Sequence, residues 1–403
     1  MRTLLAFFLL LLPGLALAQG RLTGVVQDSV THQPLAFASV FLANTTLGAT
    51  TTEQGTFEFA RVPAGTYDIV GSYVGYRLAR QTIKVTEAPQ QLTLRLAPTA
   101  NQLGEVVVRP NPNRASDYQK FTQLFLGQST FSRQCRIRNP DDVLVDFDAE
   151  ANELTARAAR FVQVDNQALG YRVKYYGLHF NCNFTRQVVT FYGQPVFEEM
   201  APRSERQRRQ WDANRERAYR GSLAHFLRSV RDSQLTAQGF VARRLRIVPN
   251  PRFARTDSLR QALRRQRRAF SPAEIDSLGR WAQVPPSFML LYTTPHHLDS
   301  LRRVTPGGRH VFLRFSDRLQ VTYLLEGPDA NYHPQPARYA KNPPLAPDHQ
   351  VSQLVLMQRE IEIEPNGQLA NPLAVFTDGY WGFEKMGEFL PVNYLPPPAP
   401  SHP

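Results

Sequence analysis

The chain has little cysteine and no long apolar run after its first residues. Cys135 and Cys182 are its only cysteines in 403 residues, so it can form at most one disulfide. No stretch after residue 18 is apolar enough to cross a bilayer, which takes about 20 residues. Several motifs are also missing. There is no His-x-x-Glu pair of the zinc carboxypeptidase type, no Gly-x-Ser-x-Gly elbow, no phosphate-binding loop and no dinucleotide fingerprint. Each absence removes a common catalytic class. Global disorder is excluded by a hydrophobic fraction of 42%.

What is present begins with a leader pattern. Arg2 is followed by the apolar run Leu4 to Leu12, then Pro13-Gly14, then Ala16-Leu17-Ala18. This is a positive start, a short apolar core and a small-x-small site, so residues 1–18 read as a signal peptide cleaved after Ala18. No cysteine follows that site, which argues against a lipoprotein anchor. The expected destination is the periplasm, the outer-membrane surface by peripheral association, or the medium.

The formal net charge is +13, carried almost wholly by arginine. Between Ala201 and Phe270 there are 19 Arg against 5 acids, which accounts for the whole surplus. An exported chain rarely meets nucleic acid, so nucleic acid is not an expected partner. Anionic lipid, polysaccharide or an acidic protein are the alternatives to a simple solvated helical face. Arg206, Arg208 and Arg209 are the candidate contacts.

Residues 19–108 alternate as short strands do, with turn signals every 8–12 residues. "LTGVVQD", "ASVFLAN", "GATTTE", "GTFEFARV", "GTYDIVGSYVGY", "RQTIKV", "QLTLRLAP" and "GEVVVRP" are the successive candidates. In "GTFEF", Phe57 and Phe59 share one face of a strand. This is the pattern of a small β-sandwich. Residues 109–117, "RPNPNRASD", read as a linker.

From 118 to 394 the pattern is mixed. About five strands are expected between Val143 and Phe197, then helix from Arg203 to Arg231. Tyr219, Leu223, Phe226, Leu227 and Val230 form an apolar stripe there. A strand follows over Gly239 to Val248. A second helical stretch, Thr256 to Trp281, is broken at Ser271-Pro272, where Ser271 and Glu274 have capping-box spacing. Strands return at "HVFLRF", "LQVTYLLE" and "EIEIEPNGQL", and residues 395–403 form a proline-rich tail.

The first part resembles the carboxypeptidase regulatory-like domain. The residues that carry the resemblance are Gly24-x-Val26-x-Asp28, Gln33-Pro34-Leu35-x-x-Ala38-x-Val40, Thr51-x-x-x-Gly55-x-Phe57-x-Phe59, Pro63-x-Gly65-x-Tyr67 and Val74-Gly75-Tyr76. "LGEVVV" is similar to the end of the domain in Bacteroidetes proteins. The resemblance implies a seven-stranded transthyretin-like sandwich acting as an accessory module with no catalytic residues of its own. The second part resembles the C-terminal region found behind such domains in Bacteroidetes proteins. It does so at "FLGQST", "ALGYRVKYYGLHF", "RAYRGSLAHFLRSV" and "DGYWGFEKMGEFLPVNYLP". That resemblance implies an α+β, mostly β domain and brings no chemistry.

Candidate chemistry is sparse. His296, His297 and Asp299 in "PHHLDS" are the best metal candidates, with His310 or His333 as a third ligand; the competing reading is a capping turn. His179 and Cys182 lie three apart in a strand and so face opposite sides. Asp146, Asp148 and Glu150 alternate, which suits paired carboxylates or calcium, but also a solvated strand edge. Tyr380, Trp381 and Phe383 could stack a sugar ring if exposed, or plug a core. Cys135 and Cys182 either pair or stay as two buried thiols. No catalytic set and no cofactor are expected. A transporter is excluded, because the chain is far too short for a plug and a barrel of about 22 strands. The sequence therefore points to a non-enzymatic cell-envelope binding or scaffolding protein whose partner is an envelope protein or a glycan. The alternatives are a metal-dependent hydrolase at the His296 group or the Asp146 strand, and an anionic-surface binder.

Overall fold

The computed structural model describes residues 19–99, 112–266, 269–334 and 347–397. The leader, "GEVVVRP" and the end of the proline-rich tail lie outside them. The chain divides into two compact units: residues up to Gly104 other than Asn44–Thr46, and Asn44–Thr46 with everything from Glu105 on.

The first unit has seven strands: β1 (Gln19–Asp28), β2 (Ser39–Leu42), β3 (Gly48–Thr50), β4 (Thr56–Pro63), β5 (Gly65–Ser72), β6 (Ala79–Val85) and β7 (Gln90–Leu96). They form two sheets, ordered β4-β1-β7 and β3-β2-β5-β6. Only β1 and β7 pair in parallel. Alternation decides the core. Leu22 and Val26 from β1, Phe57 and Phe59 from β4, and Tyr67 and Ile69 from β5 are all buried. Each such side chain contributes about 1.5–3 kcal/mol by leaving water. Gly24 has no room for a side chain, because a Cβ there would strike the Phe57 ring and the Leu92 carbonyl. This is the sandwich expected from the alternation.

The second unit opens with helix α1 (Arg114–Leu126). It starts inside the stretch read as linker. The prolines and asparagines end at Asn113, and Tyr118, Phe121 and Phe125 then recur at helical spacing. Phe121 and Phe125 are fully buried, and Phe121 meets Phe180 edge-on at 5.1 Å between centroids. Strands β8 (Cys135–Ile137), β9 (Val143–Asp148), β10 (Glu153–Ala158), β11 (Phe161–Asn166), β12 (Tyr171–Asn183) and β13 (Val188–Glu199) make one sheet. Its order is β8-β11-β12-β10-β9, with β13 also on β12.

Two helices follow, α2 (Glu205–Tyr219) and α3 (Leu223–Arg231). The expected apolar stripe is shared between them, because Gly221, at φ +78°, breaks the run. Next come β14 (Phe240–Pro249), α4 (Pro251–Arg264), α5 (Pro272–Ala282), β15 (Ser287–Pro295), β16 (Arg302–Val304), β17 (Val311–Leu313), β18 (Arg318–Tyr323), β19 (Gln350–Leu356), β20 (Ile361–Ile363) and β21 (Val375–Gly379). The sheets are β15-β14-β18-β19-β21 and β16-β17-β20. The Ser271–Glu274 capping box at the start of α5 is present. Phe226, Phe240, Val321, Leu354, Ile363 and Trp381 are among the side chains of a second core. Among the described residues, no helix is long and apolar enough to cross a membrane.

Candidate functional site

Asp165 on β11 lies opposite Arg172 on β12. That register places the Arg172 guanidinium on both Asp165 oxygens, at 2.8 and 3.2 Å. Arg138, just past β8, reaches the same carboxylate at 3.6 Å. Arg203 and Gln207 come from the start of α2, and all five residues line one cleft of about 330 Å³ with Gln167 and Trp211. Arg138 and Arg172 thus share one carboxylate, with Glu198 of β13 opposite Arg172, and Arg203 adds a third guanidinium to the lining. Among the described residues the Arg203 guanidinium has no ion-pair partner.

The cleft has a rigid wall. Ser204 caps α2 by accepting from the Gln207 amide at 3.2 Å, and Gln207 accepts from the Arg203 amide at 2.7 Å. Trp211 donates to the Gln167 carbonyl at 2.8 Å, Asn214 to Ala168 at 2.7 Å and Arg215 to Leu169 at 2.7 Å. Gly170, at φ +69°, lies directly under the Trp211 ring, where any Cβ would collide. Arg206, Arg208 and Arg209 are exposed on α2; Arg208 pairs with Glu205 at 2.5 Å. The arrangement can hold an anion by charge-assisted hydrogen bonds.

A second, smaller cavity of about 230 Å³ has the opposite character. It is lined by Tyr219, Leu223, Arg228, Asn366, Glu384 and Glu388 among others. Arg228 is committed to backbone, donating to the carbonyls of Asn366, Val392 and Tyr394. Burial pushes the Glu384 carboxyl well above its ordinary range, and the neighbouring Glu388 adds to the effect. Glu388 is pushed up to about 7, again mainly by burial. Nearby Asp329 goes the other way. Burial works against its charge, but donors from Asn331 and Thr130 outweigh that and hold it below the usual carboxylate range.

Two hydroxyls lie beside Glu388. Ser132 donates its one proton to the Leu126 carbonyl at 2.7 Å. Ser129 accepts from the Ser132 amide at 3.0 Å and donates to the Glu388 carboxyl. That bond favours the charged form of Glu388 and offsets part of the effect of burial. Sequence reading missed both glutamates. Their signal, Glu384 and Glu388 four apart in "FEKMGEF", is indistinguishable from surface charge until the chain folds over them.

The other sequence candidates are redistributed. His296, His297 and Asp299 do not form a metal centre. His297 and Asp299 pair with each other at 3.2 Å, more than 80% exposed, while His296 bonds Ser300 at 3.1 Å. His310 is engaged with Glu362 at 2.6 Å. Among the described residues, no three His, Cys, Asp or Glu side chains are arranged to hold a metal ion. Asp148 caps its own turn, accepting from the Glu150 and Ala151 amides.

Tyr380 and Trp381 are not a stacking surface. They are 8% and 5% exposed, and the indole N–H donates to the Gly221 carbonyl at 2.8 Å. Phe383, half-buried, packs on Tyr332 at 5.3 Å. Cys135 and Cys182 are free, buried thiols and not a disulfide. Asn166, beside Cys135, pairs with Tyr171 at one end of β12, whereas Cys182 lies near the other end. Eleven strand residues span about 36 Å, far beyond disulfide reach.

In the first unit, the first and last motif positions singled out in the sequence meet. Tyr76 donates to Asp28 Oδ2 at 2.7 Å, while Asp28 Oδ1 accepts from the Val30 and Thr31 amides. These donors, with the Thr31 amide first, hold Asp28 below its ordinary pKa. Thr51 similarly ties the middle motifs, donating to the Leu35 carbonyl and accepting from the Ala38 amide. Residues 22–108 match the family model described as CarboxypepD_reg-like domain. The first unit is a CarboxypepD_reg-like domain.

No curated protein matches the sequence. Among solved structures, the group B streptococcus pilus 2b backbone protein is 18% identical, covering 20% of this chain and 42% of that one, at a TM-score of 0.18. A cohesin–X-dockerin complex from Acetivibrio cellulolyticus is 21% identical over 28% of this chain and 76% of that one, at 0.19. A protein of unknown function from Bacteroides fragilis is 9% identical over 90% and 95%, at 0.17. The chain spans less than half the length of the pilins it matches. Likenesses at these TM-scores carry no functional inference. The CarboxypepD_reg-like domain itself directs its charged groups to local structure, as in the exposed Arg21–Glu58 pair at 2.8 Å.

Proposed function

We propose that this is an exported, non-enzymatic protein of the cell envelope, in which the CarboxypepD_reg-like domain is the accessory module and the second unit binds an anionic glycan. The leader pattern of residues 1–18 supports the compartment. The observation that carries the binding reading is the arginine-lined cleft, where Arg138 and Arg172 share the Asp165 carboxylate and Arg203 lines the same wall. Its volume of about 330 Å³ is that of a small-ligand pocket. Its polar donors suit a sugar carboxylate or sulfate.

Calorimetric titration with oligogalacturonate, and with its neutral methyl ester, tests this. The acid is expected to bind, the ester not, and the affinity to fall between 50 and about 300 mM salt, as charge screening requires. Arg203→Ala should weaken binding about tenfold, close to 1.4 kcal/mol. Equal binding of acid and ester, or none with either, overturns the proposal.

A second reading, a hydrolase, has one observation behind it: the raised carboxyl groups of Glu384 and Glu388 on the smaller cavity. Turnover of peptide or glycoside substrates that disappears in Glu388→Gln would favour it; a silent wild-type protein across both panels rules it out.

A further inference from the structure

The β14–β15 hairpin outruns the core that it grows from. On β14, Phe240, Ala242 and Leu245 are buried, but the residues after Leu245 are not. Along β15, none of the nine residues is buried. Phe288, Met289, Leu290, Leu291 and Tyr292 are 52%, 61%, 48%, 40% and 36% exposed. Register divides them between both faces. Phe288 and Leu290 lie opposite Val248 and Arg246, whereas Met289 and Leu291 lie opposite Ile247 and Leu245. β15 is also the edge of its five-stranded sheet, paired only with β14. Pro295 and a register shift at Arg243/Leu245 blunt its far end, but from Ser287 to Tyr292 the edge is apolar on both faces, uncharged and free of proline.

We propose that β15 pairs antiparallel with β15 of a second copy of this chain, joining two five-stranded sheets across a two-fold axis near Leu290. Three features favour a second copy over another occupant. The strand is uncharged, so self-pairing sets no like charges opposite one another. The open backbone edge can pair with another strand, a match that a lipid surface cannot supply. The third concerns the arginines. Residues 240–295 hold eleven arginines against three acids, and α4 and α5, which carry many of them, contain no buried residue. These charges would repel in a parallel arrangement. Antiparallel pairing about Leu290 sends the two helical ends in opposite directions, about 20 Å apart along six residues, beyond the ~8 Å screening length.

The test is mass by light scattering on purified protein from about 1 to 200 µM, with thermal melting to confirm folding. Wild type should shift from monomer to dimer across this range. Leu290→Lys and Leu290→Glu, each on an exposed side chain, should be folded and monomeric, their dissociation constants raised at least tenfold. Mixed together, the two should form a heterodimer, because opposite charges then face each other across the axis. Met289→Lys checks the other face and should also weaken the dimer. A wild-type monomer at every concentration overturns the proposal. So does a dimer indifferent to Leu290→Lys, a mixture that stays monomeric, or a monomer that binds only anionic vesicles.

Discussion

The carboxyl group of Glu388 is hydrogen-bonded to the hydroxyl of Ser129, 259 residues away in sequence. The contact needs close backbone approach. A Cβ at Gly387 or at Gly127 would run into Ser132, so both positions exclude a side chain. It joins the helix-to-strand loop after α1 to the C-terminal segment of the second unit.

The burial of Glu388 makes stability depend on pH. Glu388 titrates at about 7 in the folded chain against an ordinary 4.5, so the folded state binds the extra proton between these values. Its contribution is complete below pH 4.5 and is lost as pH rises to 7, at about 1.4 kcal/mol per unit. Urea unfolding from pH 5 to pH 8 should show stability falling through this window. Glu388→Gln, which keeps an acceptor for Ser129, should flatten part of the slope and exceed wild type at pH 8. An unchanged slope in the variant would show that Glu388 is not the titrating group.

Both thiols should be silent in the native protein. Burial pushes Cys135 up to about 12, with the Glu388 charge adding to it, and burial also raises Cys182. The reactive thiolate is therefore scarce. A thiol reagent should label neither cysteine before unfolding and both after it, and reductant should leave the melting temperature unchanged. A melting point that drops in reductant would restore the disulfide.

Trp381→Phe should separate stability from binding. It removes the 2.8 Å bond to the Gly221 carbonyl and part of the packing on Phe226. An unpaired buried carbonyl and a small void together cost about 2–3 kcal/mol. Affinity for oligogalacturonate should be unaffected, since the indole is inside the second core. Intact stability with lost binding would return Trp381 to the surface.

Local pattern accounts for much of this protein. The period-two alternation of Leu22, Val26, Phe57, Phe59 and Ile69 determines the sandwich. The stripe from Tyr219 to Val230 marks a helical stretch, though not its break at Gly221, and Ser271 with Glu274 a helix start, because each depends on neighbours within a few residues. β15 was passed over despite being apolar, as "SFMLLYTTP" has neither strict alternation nor turn residues within it. α1 was hidden behind a proline-rich approach.

What only tertiary structure decided are the relations between distant residues. Whether Cys135 could reach Cys182 depended on strand order, and Trp381 became core because α3 and β19 closed over it. Arg138, Arg172 and Arg203 line one cleft because the end of β8, β12 and the approach to α2 come together beside Asp165. Glu388 acquired its raised pKa only where burial removed water, against the opposing hydrogen bond from Ser129. Hydrophobic period is a property of a segment, whereas burial, charge balance and proton affinity belong to the environment that other segments build around it.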